Sequence, residues 1–416
     1  MSYEAIPTFS HAERDRRWAI AQDLMQAEGL DAMLVYGDRE GTGPAPFAPD
    51  TFFTNDRPGA TVIIPRGGEP IAHLFSPMSL ADHAEARVRG DDPWVEPRNV
   101  RVPRSAPAVA KTLEELKLGT GRIGVLGLEP YPPFYFEGAI PHGFWVGLTE
   151  RLPDATFVPS WRPFAMRTVR RSREELAVLA WAARAGDAMA QAMIDTARPG
   201  VTEAQLVAAA MEAAPAHAAV SPGVLLVTGR EENNWGLPAW SYRAQKPRTL
   251  EDGDVVLSEI FTSSGMLEAQ GQLTIGIGDV HPDVRRAGEA VRESYERGLA
   301  ALKPGATFGD VARAMRGPVD ALGGWNVAPL VHALNPFGAV SAAGEGIEAL
   351  PGAADYGALG HIPTILAEMP ILPGMTFAFE PKMNLGRHEV DIGSTVVVGE
   401  HHPIELNRLG REVVYV

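Results

Sequence analysis

The sequence predicts a two-domain chain, with an α/β domain over residues 1–165 and an α+β domain over residues 166–416 whose two halves repeat one another. Three observations lead to this. Short apolar strands alternate with helical stretches through the first part, the pattern of an α/β domain. A basic stretch, Met166 to Arg173, then gives way to an Ala- and Leu-rich run from Glu174 to Ala197, a change in composition that marks a boundary. Finally, one kind of helix junction occurs twice, as Pro199-Gly200-Val201-Thr202 and as Pro304-Gly305-Ala306-Thr307.

Taken in order, a helix is expected from Ala12 to Ala27, stopped at Gly29, and a strand from Ala32 to Tyr36. A Gly- and Pro-rich loop leads to Phe52-Phe53. Strands follow at Ala60–Ile64, before a turn at Pro65 to Gly68, and at Arg122–Leu126. Beyond the boundary, Glu174–Ala197 and Val284–Leu302 read as long helices, each closed by Pro-Gly. Proline lacks the amide hydrogen that would continue a helix, and glycine accepts the left-handed turn that ends one. Thr202 and Thr307 then fall where a helix N-cap belongs, and Gln205, three residues after Thr202, completes a capping box. Each helical unit is followed by strand-like sequence. Gly253 to Ile260 and Gln270 to Gly276 form one pair; Met375 to Glu380 and Asp391 to Val398 end the chain's second half. Two copies of one unit suggest a duplicated domain rather than a solenoid, with a chance likeness of two helix junctions as the alternative.

Composition narrows the function. Apolar residues at 45% and charged residues at 21% are those of a folded globular chain. The absence of cysteine excludes disulfides, thiolate nucleophiles and thiolate metal ligands. A formal charge of −15 repels phosphate backbones, so nucleic acid is not an expected partner. The first residues carry charges where a secretory signal needs an apolar core, and no run approaches the about 18 apolar residues of a membrane span. The expectation is a cytoplasmic protein.

The second domain resembles the pita-bread superfamily of creatinase, prolidase and aminopeptidase P over roughly Arg170 to Val416, and the first resembles that superfamily's N-terminal domain. Three stretches carry the resemblance: Leu250-Glu251-Asp252-Gly253-Asp254-Val255-Val256-Leu257, Leu372-Pro373-Gly374-Met375-Thr376-Phe377-Ala378-Phe379-Glu380-Pro381, and Asp391-Ile392-Gly393-Ser394-Thr395-Val396-Val397-Val398. The resemblance implies a pseudo-twofold α+β domain. It also implies, in metal-dependent members, two divalent cations held by two Asp, one His and two Glu. Here the Asp positions fall on Glu259 and Gln270, the first Glu on Glu380 and the second on Gly393. The histidine position falls on Glu345, within Gly344-Glu345-Gly346-Ile347-Glu348, with His332 as its rival. The bridging positions are thus an amide and a glycine, and a dinuclear centre is not expected. The expected cofactor is none, although Glu259, Glu345 and Glu380 leave room for a single hard cation. Creatinase chemistry is not copied directly either: the region Gly229 to Arg243 holds no histidine, and the position of creatinase's first catalytic glutamate is Gln272.

What remains is a carboxylate constellation. Glu259, Glu345 and Glu380 are the expected catalytic residues, since like charges held together cannot all ionise and so supply both an acid and a base. They could instead hold a cationic substrate. Glu268, Gln270 and Gln272 alternate along one strand and share a face, where the two amides could orient a polar substrate. Trp235, Trp240 and Tyr242 could form an aromatic wall or simply pack. His332 and His361 could replace a missing base, though a structural role suits them equally. Arg57 could bind a substrate carboxylate, set against a plain surface role, since the resemblance implies a homodimer in which one subunit's N-terminal domain covers the other's site. The function expected is hydrolysis of a C–N bond of a small polar metabolite without paired metals. The alternatives are a metal-dependent Xaa-Pro peptidase or lyase of the same fold, and a non-catalytic binding protein.

Overall fold

The computed structural model describes residues 6–38, 48–129, 138–232, 236–334, 338–357 and 360–416. Most of the Gly- and Pro-rich loop ahead of Phe52, and Trp235, lie outside these. The chain divides into two compact units between Val169 and Arg170.

The first unit runs α1 (His11–Glu28), β1 (Ala32–Tyr36), α2 (Pro49–Thr54), β2 (Thr61–Pro65), β3 (Ile71–His73), α3 (Pro77–Arg89), β4 (Val100–Arg101), α4 (Ala106–Glu115), β5 (Arg122–Leu126), α5 (His142–Thr149), β6 (Thr156–Pro159) and α6 (Trp161–Thr168). Its six-stranded sheet has the order β4-β3-β2-β1-β5-β6. β1 pairs parallel with β5 and antiparallel with β2, so the sheet is mixed. All five residues of β1 are buried, because apolar clusters cover both faces of the sheet. Ser10 caps α1 by accepting the Glu13 amide hydrogen, and Gly29 ends it in the left-handed region.

The second unit begins with α7 (Arg173–Thr196), α8 (Glu203–Ala216), β7 (Val224–Gly229), the single turn α9 (Ala239–Tyr242), β8 (Val255–Ser264) and β9 (Leu267–Gly276). It then repeats the scheme with α10 (Pro282–Ala301), α11 (Phe308–Ala321), β10 (Val331–Ala333) and β11 (Thr376–Phe379). A hairpin of β12 (Lys382–Leu385) and β13 (His388–Asp391) follows, then β14 (Gly393–Val397), β15 (Ile404–Glu405) and β16 (Val414–Tyr415). The main sheet is ordered β10-β11-β14-β9-β8-β7. Each half contributes three antiparallel strands, and β14 meets β9 at the seam. Each half also begins with a pair of packed helices joined through Pro-Gly. Thr202 and Thr307 both close full capping boxes, with Gln205 and Asp310 as their partners.

The hairpin β12–β13 is the main departure from the sequence reading, which ran one strand from Asp391 to Val398. The break at Ile392 separates β13 from β14, and Gly386, at φ 62°, makes the turn that folds β12 back on β13. Among the described residues, no helix is long and apolar enough to cross a membrane.

Candidate active site

β8 and β9 form a ladder in which Glu259 lies opposite Gln272 and Phe261 opposite Gln270. Alternation puts Glu268, Gln270 and Gln272 on one face of β9, as expected, and all three are buried. β11 brings up Glu380, one residue past its end. β10 pairs with β11 with His332 opposite Ala378, which carries His332 into the same region. The hairpin supplies Lys382 and Asp391, directly opposed across its ladder, with Asn384 and Glu389 opposed two residues further along the same face.

The side chains form a connected network. The Gln272 amide nitrogen donates to Glu259 Oε1 at 3.0 Å and to Glu380 Oε2 at 3.3 Å. His332 Nε2 lies 3.5 Å from Glu380 Oε1 and 3.1 Å from Gln270 Oε1, and Gln270 Nε2 donates to Glu268 Oε1 at 2.8 Å. Lys382 Nζ donates to Asp391 Oδ2 at 3.2 Å and lies 3.8 Å from Glu380 Oε2. Lys382 and Asp391 have no exposed surface, and Glu259 and Glu380 keep only 5% and 3% of theirs. Among the described residues, the buried acceptors Gln272 Oε1 and Glu389 Oε2 find no hydrogen-bond partner.

Burial dominates the electrostatics. It lifts Glu259, Glu380 and Glu389 each to about 8, against the pull of Lys382 on all three, with Glu380 adding to the rise at Glu259 and Asp391 to that at the other two. Glu268 is raised well above the usual carboxyl range, again by burial. Burial works against the charge on Lys382, but Asp391, Glu380 and Glu259 outweigh it and the ammonium is held more firmly than usual. His332 is lowered by burial.

These directions fix how protons sit along the chain from Glu268 to His332. His332 Nδ1 faces the Ala333 carbonyl at 3.0 Å, so a neutral ring carries its hydrogen there and offers a lone pair at Nε2. With Gln270 Oε1 facing Nε2, the chain is satisfied by an imidazolium and an ionised Glu268. With the Gln270 amide turned over, it is satisfied by a neutral ring and a protonated Glu268. The two arrangements hold the same number of protons and differ in whether one sits on the ring or on Glu268, and burial favours the uncharged form.

Several expectations need correction. Glu345 is not in the cluster: its side chain is 48% exposed, on the loop after Ala343, and its carboxylate lies 3.8 Å from Arg316 Nη1. The antiparallel pairing of β10 with β11 puts His332 beside the site instead. His361 is exposed and Tyr242 is 73% exposed, so neither faces the buried network. Trp240 is half-buried on α9, its Nε1 enclosed without a partner among the described residues. Arg57, in the first unit, is exposed and ion-paired with Asp82. The residues that sequence reasoning missed are Lys382, Glu389 and Asp391. The available signal was Gly386 between two alternating segments, Lys382-Met383-Asn384-Leu385 and His388-Glu389-Val390-Asp391, a pattern typical of a hairpin.

These residues do not fit a pair of divalent cations. Gln270 presents an amide where a bridging carboxylate would be needed. Gly393 cannot supply another, since a Cβ there would fall onto the Phe379 carbonyl oxygen and the Gln272 amide oxygen. A buried ammonium already compensates Glu380 and Asp391.

Comparison with known proteins agrees with the architecture. The structure of dipeptidase PepE from Mycobacterium ulcerans superposes with a TM-score of 0.68 at 21% identity, covering 98% of this chain and 99% of that one. Prolidase from Pyrococcus horikoshii OT3 gives 0.72 at 15% identity over 96% of this chain and all of its own. Aminopeptidase PepP from Pseudomonas aeruginosa gives 0.68 at 16%, covering 97% and 96%. Identities this low establish the fold, which is the pita-bread architecture. Methionine aminopeptidase B from Synechocystis is 28% identical over 142 residues, 34% of this chain, and the match spans 46% of that enzyme's length. The sequence model of metallopeptidase family M24 matches residues 178–400, more than half of the chain and all of the strands that carry the buried network. On that match the chain belongs to metallopeptidase family M24.

Proposed function

We propose that the chain is a hydrolase that cleaves a C–N bond of amide or amidine type in a small polar substrate, with Glu259 and Glu380 as its acid–base pair and without a two-metal centre. The observation that carries this is the Gln272 amide, which joins the two carboxyls from different halves of the domain. Both are held near neutrality, where one can be ionised while the other keeps its proton. Lys382 stands beside Glu380, and a charge on Glu380 raises Glu259 further, which makes Glu380 the ionised member and Glu259 the protonated one.

In the step this supports, Glu380 takes a proton from a water molecule as the water oxygen bonds to the substrate carbon. The C–N bond then breaks as Glu259 gives its proton to the leaving nitrogen, and transfer of the proton from Glu380 to Glu259 restores the pair. Gln272 Oε1 and Glu389 Oε2, acceptors without partners among the described residues, suit a substrate rich in N–H donors. Family membership supports hydrolysis over lyase chemistry, while the donor set argues against the family's usual metals.

The test is hydrolysis of a panel of dipeptides, amides and amidines by wild-type protein with and without a chelator, beside Glu380→Gln. Turnover that survives chelation and disappears in the folded E380Q variant supports the reading. Turnover abolished by chelation and restored by Mn²⁺ would replace it with the metal-dependent peptidase reading. Turnover unaffected by E380Q would rule out the acid–base pair.

A further inference from the structure

On sequence alone the site lacks the groups that would bridge paired cations. The β12–β13 hairpin shows a cation built into it. Lys382 Nζ is fully buried, donates to Asp391 Oδ2 at 3.2 Å and lies 3.8 Å from Glu380 Oε2. A buried ammonium costs several kcal/mol unless its partners are close and themselves buried, and here they are. The ladder fixes the arrangement: Lys382 faces Asp391 and Asn384 faces Glu389, so one ammonium and two carboxyls occupy the same face of the hairpin, with Glu380 two residues before Lys382.

Glu380, Glu389, Asp391 and, across the Gln272 bridge, Glu259 form an oxygen-rich buried set. Oxygen ligands of this kind are what hard divalent cations require. The Lys382 ammonium contacts Glu380 and Asp391 together. We infer that Lys382 is the resident cation of this site: a positioning residue whose ammonium neutralises Glu380 and Asp391 and excludes divalent cations that the same carboxylates would otherwise bind. This rests on the metal-independent reading above and names the group responsible for it.

The inference predicts that removing the ammonium uncovers a metal site. The experiment measures melting temperature against MnCl₂ for wild type, Lys382→Arg and Lys382→Gln, with bound Mn²⁺ counted after gel filtration. Wild type and K382R, which keep the charge, should show no Mn²⁺-dependent shift. K382Q should melt lower without metal and recover by on the order of 5 °C at about a hundred-fold excess of Mn²⁺ over its dissociation constant. A K382Q protein that ignores Mn²⁺, beside a wild type that also ignores it, overturns this inference alone. A wild type that binds Mn²⁺ stoichiometrically overturns it together with the metal-independent reading, whereas loss of the hydrolase reading is seen only in the turnover assays.

If K382Q does not fold, Lys382→Met with Asp391→Asn decides the matter. Neutralising both partners should restore more than half of the melting temperature that K382M loses, because the cost of the single change is an uncompensated buried charge. A double variant no more stable than K382M overturns the inference.

Discussion

Gly393 lies directly opposite Gln272 in the β14–β9 ladder, and the Gln272 side chain occupies the space that any Cβ at position 393 would need. The Phe379 carbonyl oxygen closes the same space from the other side. Gly393→Ala should therefore cost about 2–4 kcal/mol, as overpacking against a backbone atom that cannot retreat. Urea denaturation followed by circular dichroism measures the cost. Combining it with Gln272→Ala should recover only part of the loss, since the carbonyl remains. Gly393→Glu should not create a working metal ligand.

The acid–base pair predicts a pH–rate profile centred near pH 8. Below it Glu380 gains a proton and the base is lost; above it Glu259 ionises and the acid is lost, so kcat/KM should be bell-shaped, with limbs that belong to the coupled pair. Gln272→Leu removes a donor that favours the ionised carboxylates, so it should move the acidic limb to higher pH. An unmoved limb would mean that the amide does not hold the pair.

His332 and Glu345 separate by role. Glu345→Gln should change kcat/KM by less than about two-fold, because its carboxylate is half exposed and reaches Arg316 rather than the network. His332→Ala should lower kcat by about 10²-fold or more, in the range of a lost acid–base or positioning group. Steady-state kinetics of the two variants distinguishes them. A large loss in E345Q would return that residue to the site.

Asp50 predicts a pH-dependent stability in the first unit. Its carboxyl is fully buried and accepts the Gly59 and Ala60 amides, yet burial outweighs those bonds and lifts its pKa to about 7 from an ordinary 3.8. The folded form therefore holds a proton between these values that the unfolded chain has released. Stability is fully present below the ordinary value, falls as pH rises through this window, and levels off above about 7. The fall is on the order of 4 kcal/mol. Asp50→Asn should remove the slope and exceed wild type at pH 8, as measured by chemical denaturation across pH. A wild-type slope of the opposite sign would show that Asp50 is ionised when folded.

The parts of the fold legible in the sequence were those written in local chemistry. The Pro-Gly helix ends, the capping threonines and the alternation of Glu268, Gln270 and Gln272 were read from spacing, and the structure reproduces them. The placement of Glu345 failed because it rested on a short motif between glycines, whereas His332 reaches the site through strand pairing with residues more than forty positions away. Lys382 was overlooked for a related reason. A lone lysine in sequence reads as a surface group, and only the hairpin register shows that two carboxyls enclose it.

The seam between β9 and β14 has a consequence for how activity arises. Glu259, Gln270 and Gln272 come from the first helix–sheet half, while His332, Glu380 and Lys382 come from the second. Neither half contains both the proposed acid and the proposed base. Cutting the chain between Gly276 and Pro282 should leave two inert fragments, and catalysis should return only when they are mixed and reassociate. Its rate of return would time the docking of the two halves rather than the folding of either.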